Sequence, residues 1–253
     1  MRRLLPSAID LPDDAAVEEQ YLVPAARHVR ANFVASLDGV VEIEGRSQGL
    51  GGAADRTAFM AMRAVTDVVL VGAGTVRSEN YGPVRLAPDV IERRRGRGQS
   101  SLPVVAIVSN RGDLDAGARV FAGDGEPPWL LTSKAGASAH EDLAAVARVV
   151  VCGDRSVDLE VALAELTRSG RGRVLCEGGP ALFGNLLAAG LLDEVCLTLS
   201  PWLIGPGHRR LLGDQDLPGP VHLQPLSLLE GDGMLLARYG GLTTTHVGNR
   251  ARR

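Results

Sequence analysis

Aromatic residues are scarce, at 4% of 253 positions. That excludes the stacking platform on which proteins hold single-stranded nucleic acid. The formal net charge is −3, which gives no basic field for a polyanion. The three cysteines, Cys152, Cys176 and Cys196, form no CxxC pair, and each lies in or beside an apolar run. This pattern argues against zinc and for reduced core thiols of a cytoplasmic protein. The five histidines show no HExxH spacing, so metal catalysis has little support. No apolar run reaches bilayer length. The opening MRRLLPSAIDLPDD carries two arginines without the apolar stretch of a signal peptide, so export is not expected.

What is present is an ordinary globular composition, 45% hydrophobic, long enough for a substantial core. The centre of the chain is RVLCEGGPALFGNLLAAG, residues 173–190. Its apolar start, Gly178-Gly179, Pro180 and the spacing of Ala181, Leu182, Leu186 and Leu187 read as strand, turn and helix. Glycine at such a turn admits a ligand close to the backbone, and the helix start favours an anion, usually a phosphate. Glu177 ends the strand, where α/β proteins place ligand-facing side chains. A second strand runs into glycine at Val71-Gly72-Ala73-Gly74-Thr75. Two such breaks in one domain suggest one extended phosphate-bearing ligand. A Rossmann unit is the obvious rival, but GAGTVR lacks the third glycine and the downstream acidic residue.

The remaining chain alternates apolar strands with amphipathic helices. Strands are expected at residues 29–37, 67–71, 104–108, 129–132, 149–152 and 194–200, followed by an antiparallel pair near 221–229 and 233–239. Helices are expected from a cap at Asp55 to Ala64, over 140–146 and over 157–168. Residues 1–27 read as an N-terminal arm holding a short acidic helix, 28–240 as one domain, and 241–253 as a flexible tail. The basic run in 88–101 reads as a solvated, mobile loop. The class is α/β, with a mostly parallel central sheet flanked by helices and an antiparallel C-terminal hairpin.

Taken in order, Ser36-Leu37-Asp38-Gly39, Gly45-Arg46-Ser47, Val71 to Val76, Glu177-Gly178-Gly179 with Leu182, and Leu192-Asp193-Glu194-Val195 resemble the reductase domain of the riboflavin-biosynthesis deaminase–reductases, in the dihydrofolate-reductase-like superfamily. The zinc deaminase signature is absent, so the resemblance implies a stand-alone reductase. It implies NADPH, with Gly178, Gly179, Pro180, Ala181 and Leu182 on the pyrophosphate, Gly74, Thr75 and Glu79 on the other phosphate–ribose side, and Val34 near the nicotinamide. Ser109, Asn110 and Arg111 match the contacts to the adenosine 2′-phosphate, although the first two also suit an ordinary turn. On the substrate side it implies Ser47, Arg63, Arg85 and Glu177, with the arginines as phosphate partners and Glu177 as the catalytic polar group. A helix-surface ion pair remains the alternative for Arg63, and a loop charge for Arg85. For Asp38 an Asx turn is favoured.

The implied reaction reduces 5-amino-6-(5-phosphoribosylamino)uracil by hydride transfer, in a cytoplasmic homodimer. Many family members carry a lysine where this chain has Asn32, and some an aromatic where it has Gly49. Reduction of dihydrofolate or a related heterocycle therefore stays open, as does a non-catalytic NADP-binding protein.

Overall fold

The computed structural model describes residues 1–123, 125–213 and 215–244. In chain order its elements are β1 (Arg2–Leu5), β2 (Ile9–Asp10), α1 (Asp14–Glu19), β3 (His28–Ser36), α2 (Ala53–Val65), β4 (Val68–Gly72), α3 (Ala73–Ser78), α4 (Pro88–Gly96) and β5 (Val104–Ser109). There follow β6 (Trp129–Thr132), α5 (Lys134–Ala139), β7 (Arg148–Val151), α6 (Leu159–Arg168), β8 (Arg173–Cys176), α7 (Pro180–Ala188), β9 (Glu194–Ser200), β10 (Val221–Gly231) and β11 (Met234–Thr244). All the strands join one sheet in the order β2-β1-β10-β11-β9-β3-β8-β4-β5-β6-β7. From β9 to β7 every pairing is parallel. From β11 outward to β2 every pairing is antiparallel.

The parallel strands are apolar on both faces because helices cover both. Val68, Leu70, Val174 and Cys176 pack with Leu163 and Leu166 of α6 and Phe183 and Leu186 of α7. Leu175 and Cys196 face the other way, onto Ala58 and Met62 of α2 and Val17 of α1. All three cysteines are free and buried. With the strands parallel, the carboxyl ends of β3, β8, β4 and β5 lie along one edge, and the candidate site forms there.

Three segments differ from the sequence reading. Residues 1–27 hold the short acidic helix, but they do not hang free. β1 pairs with β10, and Val17 and Tyr21 are each 1% exposed. The basic run is a helix, α4, and Arg94 within it is fully buried. Its guanidinium donates to the carbonyls of Arg63, Ala64 and Thr66, which the end of α2 leaves unpaired. Arg93 and Arg97 close on the buried carboxylate of Glu18. The tail boundary at 241 falls inside β11, which runs to Thr244; residues 245–253 lie outside the described residues.

Smaller differences concern turns. After β3, residues 40–43 make isolated bridges, Val40 to Arg210 and Ile43 to Arg46. Lys134–Ala139 is helical with Ser133 as its cap, and Glu141–Ala145 forms a single 3₁₀ segment. Asp55 does not cap α2: the N-cap is Gly52 and no side chain closes that end.

Candidate active site

The two glycine turns touch. The Gly72 N–H donates to the Gly178 carbonyl at 2.9 Å, and the Glu177 N–H donates to the Leu70 carbonyl at 3.0 Å. The Gly178-Gly179 peptide is cis. Only glycine suits this junction: Gly178 has φ +107°, and a Cβ on Gly179 would stand 3.1 Å from Thr75 Oγ1. Pro180 opens α7, whose first turn carries no side-chain cap. Its N–H groups and positive dipole end therefore face the space in front of the turn.

That space is a cleft of about 1200 Å³, larger than one drug-sized ligand needs. Val34, Gly74, Thr75, Glu79, Gly178, Gly179, Pro180, Ala181 and Leu182 all line it, as do Ser47 and Glu177. Ser47 reaches across to Glu79, whose Oε1 accepts its N–H at 3.1 Å and its hydroxyl at 3.2 Å. The opposite wall comes from the loop after β9, through Arg209, Gly213 and Gln215. Asp38 holds that loop, accepting the N–H groups of Ile204 and Gly205. Those bonds and the Ser36 hydroxyl pull its carboxyl down to about 2, the hydroxyl contributing most.

Five expected site residues stand elsewhere or are already bound. Arg63 does not offer a free guanidinium to a phosphate. Its Nε and Nη2 each meet a Glu177 oxygen at 2.7 Å. The Tyr81 hydroxyl donates to the same carboxylate at 2.6 Å, and the Phe59 ring lies under the guanidinium at 4.2 Å. The Glu177 side chain is 4% exposed and that of Arg63 is 13% exposed. Glu177 is thus a clamped carboxylate at the cleft wall. Its charge keeps the Arg63 guanidinium firmly protonated against the opposing effect of burial.

Arg85 is exposed and lines a different cavity, with Val84, Leu102 and Pro128. The chain turns away after Tyr81 and carries Arg85 out of reach. Ser109, Asn110 and Arg111 follow β5 on the same sheet edge but do not line the cleft. Ser109 accepts the Gly112 N–H and donates to Asp113. The Asn110 side chain accepts the Val157 N–H. Ser109 thus closes its own turn and Asn110 ties that turn to the loop after β7, while the Arg111 side chain is exposed.

Asn32, singled out in the sequence for its departure from the family's lysine, lines the cleft; the sequence reading passed over Asp55, Arg56, Phe59 and Tyr81, which line it too. Helical spacing marks Phe59 and Arg63 as sharing a face with Asp55. No local pattern marks that face as the cleft.

A parallel sheet with two glycine turns at its carboxyl edge and a cleft before an uncapped helix defines the class of α/β protein that binds its ligand in the crevice at the strands' carboxyl ends. Residues 27–236 match the RibD C-terminal domain family, and the chain belongs to that family. It is 28% identical over 179 residues to the 2,5-diamino-6-ribosylamino-4(3H)-pyrimidinone 5′-phosphate reductase of Archaeoglobus fulgidus, covering 70% of this chain and 82% of that protein. It is 28% identical over 209 residues to the riboflavin biosynthesis protein RibD of Bacillus amyloliquefaciens, covering 78% of this chain and 53% of that one. Among solved structures, a pyrimidine reductase-like protein from Corynebacterium diphtheriae superposes with a TM-score of 0.80 at 24% identity, over 90% of this chain and 99% of that one. The homologues named here as reductases are oxidoreductases of riboflavin biosynthesis.

Proposed function

We propose that the chain is an NADPH-dependent reductase of a ribosylamino-pyrimidine 5′-phosphate, with 5-amino-6-(5-phosphoribosylamino)uracil as its substrate. The observation that carries this reading is the bonded pair of glycine turns, Gly72 to Gly178, at the floor of one large cleft. The cradle fits a dinucleotide. Gly178 and Gly179 let its pyrophosphate approach, and the α7 N–H groups of Ala181 and Leu182 meet the charge. Gly74, Thr75 and Glu79 hold the adjoining ribose and phosphate side, and Val34 gives the nicotinamide an apolar wall. Arg111 is the cation this reading assigns to the 2′-phosphate.

A bound reduced nicotinamide supplies a hydride, and the protein aligns the acceptor carbon with it and keeps water out. With Arg63 held by Glu177 and Arg85 outside, the substrate phosphate falls to Arg56 and Arg209 on the cleft rim. Glu177, Arg63 and Tyr81 act together as a rigid polar wall for the pyrimidine. A homodimer and a cytoplasmic location belong to the same reading. Leu226 on β10 and Leu235 on β11, 46% and 38% exposed, suit the face of a second copy.

One observation favours a second substrate: Asn32 lines the cleft where a lysine is common in the family. Dihydrofolate is therefore an arm of the test. Purified protein is given NADPH and, separately, the uracil substrate, its 2,5-diamino-pyrimidinone counterpart and dihydrofolate, and absorbance loss at 340 nm is followed. Oxidation with a ribosylamino-pyrimidine alone supports the proposal. Oxidation with dihydrofolate alone replaces it, and oxidation with none of the three, together with a thermal shift on NADPH, leaves a binding protein in its place.

A further inference from the structure

The cleft contains a carboxyl that the reading above leaves idle. Asp55 sits in the first turn of α2, yet its side chain does not close the helix end. Its Oδ2 packs so tightly on Gly51 that a Cβ there would come within 3.0 Å. Thr198 of β9, 3% exposed, stands beside it. Thr198 pairs in register with Val34, and Cys196 with Asn32. Residues paired across strands point to the same face. Asn32, Val34 and Thr198 therefore form the sheet side of a slot whose helix side is Asp55 and, one turn on, Phe59. This places the carboxyl opposite the strand assigned to the nicotinamide.

Apart from the exposed Arg56, the other charges around the cleft have partners. Glu177 has Arg63 at 2.7 Å and the Tyr81 hydroxyl. Arg77 has Asp113 at 3.4 Å, and Arg209 has Glu42 at 3.6 Å. Glu79 accepts from Ser47. Arg56 is exposed, and among the described residues no ion pair joins it to Asp55. Burial in such a slot without a cation disfavours the charged form of a carboxyl. Burial accordingly pushes Asp55 above the usual carboxylate range, with the Thr198 hydroxyl opposing.

We infer that Asp55 is the proton donor of the reduction, delivering its carboxylic proton to the heteroatom beside the carbon that receives hydride. This rests on the reductase reading. In the open imine form of a ribosylamine, the C=N π bond breaks. The carbon gains the hydride of a reduced nicotinamide and the nitrogen gains the Asp55 proton. The product is a secondary amine, and the Asp55 carboxylate recovers its proton from water.

The test compares wild type, Asp55→Asn and Asp55→Glu at saturating NADPH, with kcat followed against pH. The acid form is the active one, so wild-type kcat falls as pH rises through the carboxyl's pKa. Asp55→Asn loses that limb and runs about 10²- to 10⁴-fold slower, while its thermal shift with NADPH stays at the wild-type value. Asp55→Glu recovers part of the rate and the limb. A carbon-13 NMR titration of the Asp55 carboxyl, assigned by its absence in Asp55→Asn, reads the pKa without turnover. A value at or below about 3.9, the ordinary aspartate figure, overturns the role. So does an Asp55→Asn enzyme with wild-type kcat and pH limb, and that result leaves the reductase reading standing. A wild type that reduces none of the three heterocycles overturns the reading and the role together.

Discussion

Glu177→Gln removes one charge and almost no volume from the wall of the cleft. The structure sets the cost. The carboxylate is 4% exposed and takes both 2.7 Å bonds of Arg63, whose side chain is 13% exposed. Breaking a buried pair from one side typically costs about 3–5 kcal/mol, because the remaining charge stays buried. Two features reduce that figure. The glutamine oxygen still accepts one Arg63 bond, and the Phe59 ring at 4.2 Å still faces the cation. The expected loss is therefore roughly 2–4 kcal/mol, still set by an uncompensated buried cation. For a domain of this size each kcal/mol lowers Tm by about 2–4 °C, so Tm should fall by about 5–15 °C. Urea unfolding at pH 7 measures the difference directly. The partner variant Arg63→Met should be costly alone, and the double variant should lose less than the two losses added, with a coupling of about 1–3 kcal/mol. Glu177→Gln within about 0.5 kcal/mol of wild type, the range of ordinary surface substitutions, would refute the clamp. So would strict additivity.

Gly178→Ala puts a side chain at φ +107°, which should cost about 1–3 kcal/mol of stability and weaken NADPH binding, read as a smaller thermal shift with the cofactor. Glu194, fully buried, accepts from His28, Arg30 and Arg238. Its carboxyl lies far below the usual range: burial opposes ionisation, but those three partners outweigh it. Glu194→Ala strands two arginines in the core and should cost about 3–5 kcal/mol; soluble protein with a wild-type urea midpoint would contradict this. Asp38 has its carboxyl lowered from 3.8 to about 2. A lowered carboxylate contributes above its unfolded pKa and loses that contribution as pH falls through the folded one. The gap in urea midpoint between wild type and Asp38→Asn should therefore be full above about pH 4 and close towards about pH 2. NADPH should raise Tm more than NADH at equal concentration, and Arg111→Ala should remove that preference.

The glycine turns were legible because their chemistry is local. Gly178-Gly179 before Pro180 can be little else than a strand-to-helix turn, and the same holds for Gly72 to Thr75. Order and spacing then carried the family. What stayed hidden was set by partners far along the chain. Arg63 reads equally as a phosphate partner or a helix-surface ion pair until Glu177, 114 residues on, arrives beside it. Arg94 reads as one more solvated charge in a basic run. It is buried because the carbonyls it caps end a helix about thirty residues earlier. Residues 1–27 look like an arm because β1 pairs locally only with the two-residue β2, whereas the strand that ties them to the sheet, β10, lies near the other end of the chain.

Asp55 shows the same limit at the site. Its position in the first turn of a helix is the usual place for an exposed acid that favours the dipole. Depth, and not sequence, separates that role from a carboxyl in the cleft, and depth here comes from Gly51 packed against it and from β9 behind. The chemistry a side chain is able to do is thus written in its residue type, while its availability for that chemistry depends on which charges the fold has brought to it. In this cleft the fold has given Glu177 a cation and withheld one from Asp55. Two carboxyls of one cleft are thereby separated into one locked in an ion pair and one left to carry a proton. Supplying the missing cation by Thr198→Lys should lower the Asp55 pKa and move the descending limb of kcat to lower pH, whereas a limb that stays in place would show that some other group sets it.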